Sequence, residues 1–237
     1  FLFLMDFDDN PALLESDGAT LFVKNKNGKL LWTKSVNISK YELQSNFGYS
    51  KRVKIVDIDD NGKNELLICN ESDPKTHNIK NQAEVVCYNY IGKQIWHYVF
   101  HDKVISNREK LNTEYTVNIL DTLTFRNKRS IFLYANNGPS FSSSIYRLDL
   151  LTGKRLPGTF WASGHIMDGI VKDIDKDNKL DIVGAGYENG YEDLVFFAFE
   201  IDTITKVRPT NPEYLIRNFP IAVMKSYIRF PKTDFDN

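Results

Sequence analysis

The chain has 237 residues, 42% of them apolar, with 30 basic and 31 acidic side chains and a net charge of −1. That length suits one large or two small domains with a sizeable core. The balanced charge, with neither sign dominating any long stretch, argues against the basic face that a nucleic-acid binder needs, and no run approaches the roughly 18 apolar residues of a membrane helix.

The chain opens on F-L-F-L, without Met, and this run is too short and lacks the basic lead-in of a signal peptide. With the D-F-D-N at the far end, which resembles the start of another repeat, it reads as a piece of a longer protein. D-F-D-D-N follows at Asp6, and then a strand–turn–strand run, L-F-V-K-N-K-N-G-K-L-L-W, over 21–32. D-I-D-D-N-G-K-N-E-L-L-I occupies 57–68, and a second strand–turn–strand run, V-V-C-Y-N-Y-I-G-K-Q-I-W, occupies 85–96. The polar stretch from His101 to Tyr115 reads as a long connection or a single helical turn. Asp121 opens a degenerate copy of the acidic run, and I-Y-R-L-D-L-L-T-G-K-R-L follows over 145–156. D-I-D-K-D-N-K-L-D-I-V spans 173–183, with a weak hairpin copy over 195–207 that has lost its Gly. Residues 208–220, with three prolines, read as an irregular excursion, and Asp234 marks a possible fifth start.

These are internal repeats that start near 6, 57, 121 and 173 and fill residues 1–237. Each predicts three or four strands in about 50 to 60 residues, the size of a propeller blade. Gly28, Gly92 and Gly153 supply positive φ at the hairpin turns. Trp32 and Trp96 close their hairpins and are expected to pack between neighbouring units. Cys69 and Cys87 sit in β-rich runs on neighbouring strands and read as buried free thiols.

Two of the acidic runs carry chemistry. Asp57, Asp59, Asn61 and Glu65, and then Asp173, Asp175, Asp177 and Asp181, place oxygens at loop positions 1, 3, 5 and 9. Alternate residues of a tight loop point to one side, so this spacing converges oxygens on one point, and calcium takes six to eight of them. An acidic turn without metal is the plain alternative, since Asp and Asn favour turns anyway. Recurrence in register favours two structural calcium sites.

The pattern D-x-D-x-[DN]-[GN]-x-x-[DE]-[LI] followed by a hairpin resembles the FG-GAP/VCBS repeat family, the blades of integrin-alpha-type propellers. The resemblance is specific at 57–68 and 173–183 and degenerate at 6–14 and 121–132. It implies an all-β, calcium-stabilised propeller, with about four blades here as part of a seven-bladed ring whose remaining blades lie in a longer chain. It adds the backbone carbonyls of Lys63 and Lys179 as ligands at position 7. In the first repeat Leu14 replaces the position-9 carboxylate and Pro11 the Gly, which puts metal binding there in doubt. In the third, Leu123 and Phe125 cannot ligate, and Arg129 is expected either to pair with Asp121 or to point into water.

Extracellular calcium modules bind at about 0.1 to 1 mM. At about 1 mM calcium each site would add roughly 0.4 to 1.4 kcal/mol, whereas calcium-poor cytosol would leave it empty. The expected location is therefore extracellular, periplasmic or at the cell surface.

No catalytic grouping is legible around His77, His97, His101 or His165, although His165 is placed to line a central channel. S-F-S-S-S (140–144) is a polar turn, and the Gly-rich run at 184–190 lacks the βα unit of a dinucleotide site. Tyr187 and Tyr191 are candidate surface aromatics for a sugar or protein ligand. The expected function is a non-enzymatic binding or adhesion module taking a protein or polysaccharide on a propeller face. The alternatives are the propeller of a polysaccharide-active enzyme such as a lyase, or the sensor domain of a membrane receptor.

Overall fold

The computed structural model describes residues 6–40, 43, 51–69, 83–125 and 128–231. The possible repeat start at Asp234 and the side chain of His77 lie outside the described residues. Apart from a 3-10 turn at Pro212–Tyr214, the bounded elements are strands, as the repeat pattern predicts.

The first sheet holds β1 (Leu13–Ser16), β2 (Thr20–Lys24) and β3 (Leu30–Ser35). The second holds β4 (Val53–Val56), β5 (Glu65–Cys69), β6 (Ala83–Tyr88) and β7 (Gln94–Phe100). The third holds β8 (Tyr115–Phe125), β9 (Lys128–Asn137), β10 (Ser142–Asp149) and β11 (Arg155–Ser163), with β15 (Lys206–Val207) added parallel to β11. The fourth holds β12 (Ile166–Lys172), β13 (Asp181–Glu188), β14 (Asp193–Glu200) and β16 (Ser226–Phe230). β15 aside, every pairing within the sheets is antiparallel.

Alternation along the strands shows how the sheets stack. On β5, Leu66 and Ile68 pack with Leu21 and Val23 of the first sheet. Leu67 and Cys69, on the other face, pack with Val117, Ile119 and Leu133 of the third. On the third sheet, Leu120, Phe132 and Tyr134 turn the opposite way and meet Ile182, Val195 and Phe197 of the fourth. The two middle sheets are therefore buried on both faces, which is why L-L-I-C and I-F-L-Y-A read as continuous apolar runs. Four consecutive blades stacked face to face make a β-propeller-like arrangement among the described residues.

The hairpins repeat to the residue. Each carries a register shift just before its turn, at Val23/Lys24, Cys87/Tyr88 and Tyr146/Leu148. Gly28, Gly92 and Gly153 take φ of 84°, 81° and 68°. Trp32 lies against Gly92 and Trp96 against Gly153, where an added Cβ would come within 2.9 and 2.6 Å of the respective rings. Each Trp thus fills the space that the next blade's missing side chain leaves, and each Nε1 donates to that blade, to Tyr90 O at 2.9 Å and to Leu150 O at 3.1 Å.

The weak hairpin copy over 195–207 does not close on itself. β14 pairs with β16, with Leu194 opposite Phe230, while Lys206 and Val207 cross to the third sheet. The second strand of this hairpin is S-Y-I-R-F, and residues 201–225 are an insertion within its turn. The stretch 101–114 is a connection with an isolated Ile105–Lys110 bridge and no helical turn.

Cys69 and Cys87 lie on neighbouring strands, opposite Val85 and Leu67 respectively, and both are buried and unpaired. Burial pushes each thiol up to about 12. A thiol reagent such as DTNB at pH 8 is expected to modify neither cysteine in the folded protein and both in guanidinium, because the thiolate is the reacting form. Stoichiometric labelling of the native protein would contradict this burial.

Candidate metal centre

Turns alternate between the two rims of a meander. The acidic loops and the Gly hairpin turns therefore share one rim, and side chains link them there. Asn10 Nδ2 donates to Gly62 O at 3.0 Å, and Asn64 N donates to Asn10 Oδ1 at 2.6 Å. Lys63 pairs with Asp9 and lies 5.3 Å from the Tyr90 ring centre.

The loops at 57–64 and 173–180 follow the same backbone path. Positive φ falls at Asp60 (62°) and Gly62 (81°) in one, and at Lys176 and Asn178 (63° each) in the other. These are loop positions 4 and 6 in both cases. The left-handed residues curl the chain so that its N–H groups turn inward onto the first Asp. Asp57 Oδ1 accepts from Asp59 N and Asn61 N at 3.3 Å, and Oδ2 from Gly62 N at 2.8 Å. Asp173 accepts from Asp177 N at 3.2 Å and Asn178 N at 3.0 Å. Burial pushes the Asp57 carboxyl up, but these backbone donors outweigh it and hold the group below the usual carboxylate range.

In the first loop one carboxylate oxygen each from Asp57, Asp59 and Glu65 lies within 4.8 Å of the others. Asn61 Oδ1 accepts from Lys63 N at 2.7 Å, beside them in the turn. Glu65 is 3% exposed, and its Oε2 accepts from Ile58 N at 3.0 Å. Burial raises its pKa first; the Ile58 N–H opposes this, and the charges of Asp59 and Asp57 raise it further. Among the described residues no cationic side chain pairs with Asp57, Asp59 or Glu65. A buried carboxylate facing two like charges with no counter-ion matches what a divalent cation requires. The residues of the first loop fit calcium.

The second loop also brings carboxylate oxygens together, those of Asp173, Asp175 and Asp177, within 4.8 Å of one another. Asp181 is fully buried, and its Oδ2 accepts from Ile174 N at 3.2 Å, the same bond that Glu65 makes. Here, however, a lysine stands among the acids. Lys225 Nζ lies 2.7 Å from Asp175 Oδ2, 2.8 Å from Asp181 Oδ1 and 3.8 Å from Asp177 Oδ2. Its hydrogen bond to Asp175 and its close pairing with Asp181 hold its pKa well above the usual lysine range, and the bond from Lys225 holds Asp175 below the carboxylate range. The second loop fits a metal only when Lys225 withdraws. The Lys179 ammonium pairs with Glu200 at 2.7 Å and also lies 3.8 Å from Asp177 Oδ2.

The other two repeats hold their acids differently. Asp6 Oδ2 accepts from Asn25 Nδ2 at 2.7 Å and Asn27 Nδ2 at 3.2 Å, so amide groups of the neighbouring turn fill that loop. Asp121 lies inside β8 rather than in a loop, and its partner is Lys54 at 3.6 Å. The expected Arg129–Asp121 pair is therefore not formed. Arg129 instead reaches the blade before it, where it pairs with Asp60 and donates to Asp57 O at 2.7 Å. It braces the first acidic loop from outside, since β8 and β9 stay paired out to Phe125 and Lys128 and hold Asp121 within a strand.

The opposite rim carries a cleft of about 460 Å³ between the third and fourth blades. Arg108, Phe141, His165, Tyr187, Asn189 and Tyr214 line it. His165 Nε2 donates to Asn137 O at 2.8 Å, which leaves Nδ1 as the free ring nitrogen. Tyr191 is not part of the cleft lining; its ring lies 3.9 Å from the Arg229 guanidinium carbon. His97 bonds Glu84 at 2.9 Å and His101 bonds Val99 O at 3.0 Å, so each already has a partner.

No protein-family model and no curated protein sequence matches the chain. In shape it is similar to the solved structure of the Dos1 propeller, at 11% identity and a TM-score of 0.46. The alignment covers 91% of this chain and 44% of that one, so the chain spans less than half the length of that structure. The blade arrangement rests on the sheet packing itself. Among the described residues, no helix is long and apolar enough to cross a membrane.

Proposed function

We propose that this chain is a non-catalytic, calcium-stabilised propeller segment of the FG-GAP/VCBS type, part of a secreted or cell-surface protein and used to bind a protein or carbohydrate. The observation that carries the metal reading is the first loop, where buried Glu65 converges with Asp57 and Asp59 and, among the described residues, no cationic side chain pairs with these three carboxylates, Arg129 reaching Asp60 and the Asp57 carbonyl instead. The role is structural. Each ion would tie a loop to the strand that follows it. The outer face of the fourth blade supports a continuing stack. Ile170, Leu194, Phe196, Ile228 and Phe230 are each 48–54% exposed there, an apolar stripe of the kind another blade covers.

Thermal unfolding in 1 mM calcium and in excess EGTA tests the metal reading. Calcium is expected to stabilise by roughly 0.4 to 1.4 kcal/mol per occupied site, or about 1 to 5 °C for a chain of this size. The double variant Asp59→Ala with Asp175→Ala is expected to lose that gain. An equal melting temperature in both buffers would remove the metal reading and, with it, the argument for location.

The cleft on the opposite rim supports a second reading, a polysaccharide-active enzyme, since His165, Arg108 and Tyr187 meet there. Turnover of a polysaccharide that vanishes in His165→Ala would favour it over the binding module.

A further inference from the structure

The two acidic loops share a backbone path but not a charge balance. In the first, Arg129 pairs with Asp60 at the rim of the loop, and among the described residues no cationic side chain pairs with the Asp57, Asp59 or Glu65 carboxylates. In the second, the ammonium of Lys225 lies 2.7 Å from Asp175 and 2.8 Å from fully buried Asp181. Asp175 and Asp181 hold the loop positions that Asp59 and Glu65 hold in the first.

We infer that Lys225 is a built-in counter-cation of the second loop, so that a divalent cation enters there only by displacing it, and that the two loops bind metal one after the other. The ordering rests on the calcium reading above; the pairing of Lys225 does not.

The chain is arranged to deliver this lysine. Residues 201–225 interrupt the last hairpin, and Lys225 is the final residue before β16. Lys225 N donates to Ala198 O at 2.8 Å, and upstream Ala222 N donates to Val207 O at 2.7 Å. The backbone is thus held at the residue and just upstream of it, while the side chain is a four-carbon stem with several rotatable bonds. A calcium ion and an ammonium within about 4 Å repel each other strongly even when screened, so one cage does not hold both. Expelling the lysine lowers the affinity of the second loop. It also removes the side-chain tie between that loop and the residue just ahead of β16, so metal entry there reaches the edge strand of the fourth blade.

Calorimetric titration of calcium into the metal-free protein tests the ordering. The wild type is expected to show two steps at least about tenfold apart in affinity. Asp59→Ala should remove the tighter step. Lys225→Met should bring the weaker step to within a few-fold of the tighter one. Equal steps in the wild type, or a weaker step unmoved in Lys225→Met, would overturn the inference. If neither protein takes up calcium, the calcium reading falls and the ordering falls with it. The pairing is read separately in EGTA, by thermal unfolding of Lys225→Met, Asp175→Asn and the double variant. Non-additive shifts uphold the pairing, and additive ones overturn it.

Discussion

Arg208→Met is expected to destabilise the protein by about 3 to 5 kcal/mol, which for a chain of this size lowers the melting temperature by roughly 6 to 20 °C. The Arg208 and Glu188 side chains are both 0% exposed. Arg208 Nη2 donates to Glu188 Oε2 at 2.7 Å and Nε to the same oxygen at 3.1 Å. Nη2 also reaches Tyr187 O at 3.0 Å, while Glu188 Oε1 accepts from Thr210 and, at 2.9 Å, from Gly190 N. The pair therefore pins the insertion after β15 to the turn after β13. The loss arises less from the missing attraction than from the carboxylate left buried without a counter-charge, with only the Thr210 and Gly190 donors on it. A companion variant, Arg208→Met with Glu188→Leu, removes both charges and is expected to recover much of the loss. Urea unfolding measures both. A single variant within about 1 kcal/mol of the wild type would mean that water reaches Glu188.

Trp96→Ala carries the second large effect, about 3 to 5 kcal/mol. Trp96 is 7% exposed and stands between the second and third blades. Its removal leaves a cavity above Gly153, which has no side chain to fill it, and deprives Leu150 O of the indole donor. Gly153 cannot simply be enlarged in response. Its φ of 68° suits Gly, and backbone strain would add to any gain in packing. Trp32→Ala is expected to cost less, because Trp32 makes the same contact while only half-buried. A Trp96 variant no less stable than the Trp32 variant would argue against Trp as the wedge between buried blades.

What was legible in the sequence was what repeats locally. The Gly turns, the Trp wedges and the two acidic loops each sit within a dozen residues of the strands they serve, and their phase recurs. The partner of β14 was not legible. The repeat pattern puts that hairpin within 195–207, but an insertion separates the two strands, and only the alternating S-Y-I-R-F just before the next Asp start marks β16. The destination of Arg129 depends on how adjacent blades stack, which no spacing within one repeat specifies. Arg208 and Lys225 fall in a stretch without periodicity, so their partners Glu188, Asp175 and Asp181 emerge only once the insertion is folded back. A lone Lys immediately ahead of the last strand was the available signal, and it carried no weight without the topology.

β15 has a mechanical consequence. Two residues of the insertion, Lys206 and Val207, hydrogen-bond along the outer edge of β11 before the chain returns to complete the fourth blade. Among the described residues, the first blade meets the second through side chains across a face and contacts between turns. The fourth is sewn to the third by backbone. To peel it away, the chain must first strip a strand from a sheet that is not its own, so these two blades give way together under load, as one cooperative body rather than as separable leaves.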